Sequence, residues 1–281
     1  MFSTYPTQTI RVKGKLLTFE RPLIMGILNV TPDSFYDGGQ HNTVDQAFLH
    51  AQQLVDEGVD IIDIGAYSSR PGATNITAQE EINRSLPIIQ RLCKELPDVI
   101  LSIDTFRADV AKACIHAGAH IINDISGGNL DKNMYATVAE LQVPYILMHM
   151  RGTPETMQQH TDYTDIVTDV ATELGERIAT LRALGIKDII VDAGFGFAKT
   201  IAQNYELLGR IDELHYFGLP LLGGISRKSM IYKKLGITPE EALNGTTALN
   251  TLLLERGVQI LRVHDVKETK QLVDMFFGKQ V

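Results

Sequence analysis

The 281-residue chain carries a net charge of −8 without long runs of one sign, and 44% of its residues are hydrophobic. That balance supplies a sizeable core and argues against non-specific nucleic-acid binding, which usually shows a basic patch. No apolar stretch approaches the roughly 20 residues of a membrane span. The opening MFSTYPTQTIRVKGK also lacks an apolar signal core. A soluble, cytoplasmic protein with one domain over residues 1–281 is therefore expected. Cys93 and Cys114 each fall within a predicted helix and read as reduced thiols rather than a disulfide.

In chain order, residues 9–12 and 16–19, joined through Lys13-Gly14-Lys15, predict a short β-hairpin within residues 1–20, placed to plug the N-terminal end of a barrel. A strand at 23–28 ends in Asn29, and a Gly- and Pro-containing loop leads to a helix near 44–57. The stretch VDIIDIGAYSSRPG, residues 59–72, is a β-branched strand that breaks into a polar loop at Gly65. Asp63 lies inside that strand. A buried carboxylate needs a partner, so Asp63 is expected at the strand's rim, facing a ligand or a cation. Thr77-Ala78-Gln79-Glu80 reads as a capping box opening the next helix.

The same grammar then repeats. Strands at 99–103, 120–123, 143–148, 188–191, 219–223 and 258–263 are each followed by a helical segment. Their exits deliver Asp104, Asn123 with Asp124, His149, Asp192, Ser226-Arg227-Lys228, and Arg262 with His264 and Asp265. Eight strand–helix units predict parallel βαβ organisation and an α/β fold, the (β/α)8 TIM barrel. Strand ends converge on one face of such a barrel, so the eight polar exits are expected to line one pocket.

Taken singly, each exit has an ordinary reading as a cap, a turn or a solvated charge. Together they suggest chemistry. Arg262 and His264 share a strand face, and two cationic donors at a rim suit phosphate or pyrophosphate. Ser68, Ser69 and Arg70 before Pro71-Gly72 offer hydroxyls and a planar fork to a carboxylate or phosphate. Asp104, Asn123 and Asp192 form a donor–acceptor array suited to a flat amino-pyrimidinone heterocycle. Lys228, held charged beside Asp192 and Asp104, would donate to a ligand carbonyl or ring nitrogen. Asn29 with Asp33 could assist Mg²⁺ bridging phosphates. Met148-His149-Met150 reads as packing. Gly194-Phe195-Gly196-Phe197 lacks the spacing of a dinucleotide-binding loop, and no zinc ligand cluster or nucleophile–base pair is evident.

Five stretches carry a specific resemblance: Met25-Gly26-Ile27-Leu28-Asn29-Val30-Thr31-Pro32-Asp33-Ser34-Phe35, Ser69-Arg70-Pro71-Gly72, Asp192 with Gly194-Phe195-Gly196-Phe197, Ser226-Arg227-Lys228-Ser229-Met230, and Arg262-Val263-His264-Asp265-Val266. From about residue 23 onward the chain resembles dihydropteroate synthase. That family is a (β/α)8 barrel, usually a homodimer. It condenses p-aminobenzoate with 6-hydroxymethyl-7,8-dihydropterin diphosphate in folate biosynthesis, releasing pyrophosphate, and sulfonamides compete with p-aminobenzoate.

The resemblance implies that Asp104, Asn123, Asp192 and Lys228 hold the pterin, with Ile125 and Met148 on its ring. It implies Asn29, Arg262 and His264 at the diphosphate, with Mg²⁺ on Asn29. Phe35, Ser69, Arg70 and Pro71, with Phe197, Ser226 and Lys228, would shape the p-aminobenzoate site. Lys228, Asp104, Arg262 and His264 are then the catalytic group, and a dissociative route through a pterin cation is implied. Two departures stand out: Tyr67 and Ser69 replace a more usual Glu and Thr, and Ala193 replaces Pro. They bear on loop behaviour and inhibitor contacts. The rival readings are a methyltetrahydrofolate:corrinoid methyltransferase-like barrel, which has no need of Arg70 or of Lys228 with Arg262 and His264, and a non-catalytic pterin-binding subunit, which would have lost the anion site.

Overall fold

The computed structural model describes residues 8–30, 40–67 and 75–278. A hairpin of β1 (Thr9–Val12) and β2 (Lys15–Thr18) precedes the barrel strands. These are β3 (Leu23–Asn29), β4 (Ile61–Gly65), β5 (Ile100–Asp104), β6 (Ile121–Asp124), β7 (Tyr145–Met148), β8 (Ile189–Asp192), β9 (Leu221–Gly223) and β10 (Ile260–Val263). They are all parallel, and β10 closes onto β3. Between them run helices α1 (Gln40–Asp56), α2 (Ala78–Glu95), α3 (Ala108–His116), α4 (Met134–Leu141), α5 (Ile166–Ala183), α6 (Ile201–Gly209), α7 (Ser229–Leu235), α8 (Leu243–Glu255) and α9 (Val266–Phe277). The expected α/β barrel with its N-terminal hairpin is the observed architecture.

The strands are buried on both faces, which is why they read as near-continuous apolar runs. Alternation still sorts them by side. Ile24, Leu28, Ile62, Ile64, Leu101 and Ile103 face the helices and join the large outer core. Leu23, Met25, Ile61, Ile121, Ile146, Ile190, Leu222 and Ile260 point into the barrel and form its apolar floor. Above that floor the inward positions turn polar: Asp63 then Gly65 on β4, Ser102 then Asp104 on β5, Asn123 on β6, Asp192 on β8, Arg262 on β10. The barrel interior is thus graded from apolar floor to polar mouth.

The hairpin seals the floor, as expected. Ile10 and Val12 are buried among the inward-facing strand residues. Its turn places Lys13 and Gly14 at φ 53° and 73°, the two positive values a two-residue hairpin loop needs. Lys13 Nζ donates to Val99 O at 3.1 Å, and Arg11 N donates to Asp188 Oδ1 at 3.0 Å, fastening the plug to the barrel rim.

Several boundaries differ from expectation. Thr77 caps α2 by accepting from Glu80 N at 3.1 Å, but Glu80 turns its carboxylate to Arg84 rather than completing a box. The full capping box is at Thr200 and Gln203, opening α6. The helical segment expected after the strand at 188–191, which reads from the sequence as one helix over about 202–214, is two pieces: α6 stops at Gly209, and residues Ile211–Phe217 form a 3₁₀ segment. Lys228 lies just outside α7, in extended backbone. Cys93 and Cys114 carry free thiols, as expected. Replacing Ile10 with Ala should cost about 2–4 kcal/mol in chemical denaturation. Leu16→Ala, on the exposed strand of the same hairpin, should change stability by no more than about 0.5 kcal/mol.

Candidate active site

At the barrel mouth one guanidinium organises the carboxylates. Arg262 Nε donates to Asp63 Oδ2 and its Nη2 to Asp104 Oδ2, both at 2.7 Å. Asp63 Oδ2 also accepts from Asn123 Nδ2 at 2.9 Å. Asp63 is fully buried. The cation it faces is therefore Arg262, and the expected rim position is corrected to one layer below the rim, because Gly65 is the last inward position of β4. Fixing the amide nitrogen of Asn123 on Asp63 leaves its oxygen as the outward acceptor.

Burial raises the Asp104 carboxyl, Arg262 draws it back down and Asp63 raises it again, to a net value of about 7. Burial likewise raises Asp192, offset by Lys228 and by the Gly194 N–H that donates to its Oδ1 at 2.8 Å. Burial opposes the charge on Arg262, but Asp63 and Asp104 outweigh it and hold the guanidinium firmly protonated. Lys228 is lowered by burial to about 8 despite the pull of Asp192. Its ammonium donates to Phe195 O at 2.5 Å and lies 4.9 Å from the Phe197 ring centre. The expectation that carboxylates keep Lys228 charged holds at neutral pH with less margin than the sequence suggested.

One apolar wall completes the pocket. Ile125, Met148 and Phe197 belong to a single cluster with Met150, Met157 and Ala198. Opposite, Ser226 Oγ lies 3.1 Å from His264 Nδ1 and accepts from His264 N at 3.2 Å. Arg227 grips Asp265 with both ends of its fork, Nε to Oδ2 being 3.0 Å. The Ser-Arg-Lys and Arg-Val-His-Asp motifs are therefore zipped together, which fixes where Lys228 and His264 stand. Arg227, expected as solvated charge, is half-buried in this zipper at φ 54°.

Two of the polar residues at these exits do not enter the pocket. Asp124 and His149 each follow an inward residue, Asn123 and Met148, so the two-residue period turns them outward. Asp124 accepts from Tyr145 OH at 2.7 Å and from Ser126 N at 2.7 Å, tying the loop after β6. His149 lies 3.1 Å from Glu173 Oε2 and 3.0 Å from Lys199 Nζ, in a buried cluster that the sequence did not reveal. Nothing in the spacing of Lys199 or Glu173 marks them, since α5 and the loop before α6 meet only in the folded barrel.

Asn29 Oδ1 stands at the end of β3. A side chain at Gly65 would meet it at 3.5 Å and Asp104 Oδ2 at 3.8 Å, so glycine keeps a cradle open between them. Among the described residues no group of three or more His, Cys, Asp or Glu is arranged to hold a metal ion. One amide oxygen in an open cradle fits a Mg²⁺ that would gain its other oxygens from a diphosphate and water. Phe35, Ser69, Arg70 and Pro71, with Asp33 and Ser68, lie outside the described residues. Tyr67 packs edge-on against Phe106 at 5.1 Å between ring centres, so the departure at this position is absorbed as packing.

The profile of the family described as pterin binding enzyme matches residues 25–264. The chain belongs to that family, within its dihydropteroate synthases. It is 42% identical to the dihydropteroate synthase of Escherichia coli K12 over 92% of this chain and 91% of that protein. It superposes on a Yersinia pestis dihydropteroate synthase in complex with a sulfonamide drug with a TM-score of 0.89 at 43% identity, covering 95% of this chain and 97% of the other. A Xanthomonas albilineans dihydropteroate synthase with 4-aminobenzoic acid gives a TM-score of 0.89 at 40% identity, covering 96% and 97%. Among the described residues no helix is long and apolar enough to cross a membrane.

Two outcomes follow from this geometry. Asp63→Ala removes one of the two carboxylates on Arg262 and the partner of the Asn123 amide, and should destabilise the fold by about 3–5 kcal/mol in denaturant titration. The pH profile of kcat/KM for the pterin substrate should be bell-shaped. Activity rises as Asp104 ionises near about 7 and falls as Lys228 deprotonates near about 8. Lys228→Arg, which stays charged, should abolish the alkaline fall whatever rate remains.

Proposed function

We propose that the chain condenses 6-hydroxymethyl-7,8-dihydropterin diphosphate with p-aminobenzoate to give 7,8-dihydropteroate and pyrophosphate. The observation that carries this reading is the meeting of Asp104, Asn123, Asp192 and Lys228 with the Ile125–Met148–Phe197 wall at the mouth of one barrel. A flat amino-pyrimidinone has donors for Asp192 and for the Asn123 oxygen, an acceptor for Lys228, and apolar faces for Ile125 and Met148.

In this reading the bond between the pterin methylene and the diphosphate oxygen breaks, and its electron pair leaves with pyrophosphate. The arylamine nitrogen then bonds to the methylene and loses a proton. Asp104 and Asp192, both costly to ionise because they are buried, gain a partner as positive charge spreads over the pterin ring. Arg262 keeps Asp104 aimed and its positive charge favours the departing anion, with His264 beside it. Asn29 is the residue we assign to Mg²⁺ on the diphosphate; when bound, that ion would neutralise leaving-group charge. Phe197, Ser226 and Lys228, with Phe35, Ser69, Arg70 and Pro71, are assigned to p-aminobenzoate. Competition by sulfonamides at that site, a homodimeric assembly and cytoplasmic placement belong to the same proposal.

The test is incubation of purified protein with the pterin diphosphate, p-aminobenzoate and Mg²⁺, following pyrophosphate and dihydropteroate together. Equal amounts of both products are expected, with kcat/KM down by about 10²-fold or more in Lys228→Ala and Arg262→Ala. Pterin binding without condensation under any condition would refute the reading.

A further inference from the structure

Behind the pocket wall lies a polar cluster that the condensation leaves unused. Lys199 and His149 are 3% and 0% exposed. Lys199 Nζ donates to Gly194 O and to Phe197 O, each at 3.0 Å, and lies 3.0 Å from His149 Nδ1. Three acceptors match the three N–H bonds of an ammonium. For His149 Nδ1 to accept, its ring proton must sit on Nε2, where Glu173 Oε2 receives it at 3.1 Å. Glu173 is anchored in turn by Arg151 Nε at 2.7 Å. Burial and the Lys199 charge lower His149 to about 4, so the ring is neutral as this order of donors requires.

The segment that Lys199 grips is the loop between β8 and α6, and that loop has two faces. Gly194 O and Phe197 O turn to Lys199. Gly194 N, Phe195 O and the Phe197 ring turn to the pocket, where they meet Asp192 Oδ1 and the Lys228 ammonium. The backbone is held in left-handed conformations at Gly194, Gly196 and, without a glycine, Ala198. A side chain at Gly194 would come within 2.0 Å of His149 O, so the loop is pressed directly against the cluster. Asn204 Oδ1 secures the middle of the loop by accepting from Gly196 N at 2.7 Å.

We propose that Lys199 is a positioning residue for the second substrate: by gathering Gly194 O and Phe197 O around one ammonium, it fixes the Phe197 ring against which the arylamine binds. This rests on the condensation reading and adds to it a residue that touches neither substrate. The charged and titratable groups facing Lys199 are His149 and Arg151 from the end of β7 and its loop, Glu173 from α5, Asp192 from β8 and Lys228 from the loop after β9. Burial lowers Lys199 to about 7, against the pull of Asp192. Once neutral, the amine has two N–H bonds for three acceptors, and the grip on the loop loosens.

The experiment is steady-state kinetics of Lys199→Met and the wild type between about pH 6 and pH 9, varying each substrate separately. At pH 6 the variant should raise KM for p-aminobenzoate about tenfold, a larger change than in kcat or in the KM for the pterin diphosphate. The variant-to-wild-type ratio of that KM should narrow by pH 9 without reaching one, because the neutral wild-type amine keeps two N–H donors that methionine lacks. A merely structural lysine would shift both KM values and kcat together, independently of pH, and that result overturns the proposal, as does an unchanged KM for p-aminobenzoate. Lys199→Gln, which keeps two donors, should fall between and carries the test if the methionine variant does not fold. A wild-type chain that makes no dihydropteroate overturns the reaction itself, and is told apart because the failure precedes any substitution.

Discussion

Arg262 holds the mouth of the barrel together. Its guanidinium reaches from β10 past β3 to carboxylates on β4 and β5, and through Asp63 it also sets the amide of Asn123 on β6. Four strands are cross-linked by one planar cation whose fork can serve two carboxylates at once. Such a cluster is costly to bury. Its return is a fixed arrangement of charge before any ligand arrives, the preorganisation that electrostatic catalysis requires.

Around this clamp the pocket is assembled from parts that immobilise one another. The zipper of Ser226 with His264 and Arg227 with Asp265 fixes the loops after β9 and β10. Lys228 leaves that zipper to reach Phe195 O in the loop after β8, and that loop is gripped from behind by Lys199. The three loops thus form a continuous chain of hydrogen bonds from the barrel mouth to the helix layer. Two lysines in this chain have their charge weakened by burial, to about 8 at Lys228 and about 7 at Lys199. The stiffness of the site and its protonation are coupled as a result.

Much of the fold was legible in the chain. Strands of a parallel barrel are apolar on both faces, so they announce themselves as runs, and the helices between them end at glycines such as Gly58, Gly118 and Gly185, all with positive φ. Strand ends were less legible, because they depend on which backbone groups find neighbours. The hairpin was readable from Lys13-Gly14, since two positive φ values in a short turn are a local requirement. The split between α6 and the 3₁₀ segment was not, as nothing in residues 202–214 excludes continuing the helix.

The site divides in the same way. Sequence by itself determined which polar residues stand at the strand exits: Asn29, Asp104, Asn123, Asp192, Lys228, Arg262 and His264 were all identifiable, because polar groups ending apolar runs are a local pattern. Only the tertiary structure decided which way each exit faces and what it touches. Asp63 was read as facing a ligand or a cation, and only the closed barrel shows that the cation is Arg262, 199 residues away in sequence. His149 was read as packing and instead links Glu173 to Lys199. The reason is physical: composition and periodicity act over a few residues, whereas hydrogen bonds and the dielectric that shifts a pKa are set by barrel closure, which brings together side chains that no spacing along the chain relates.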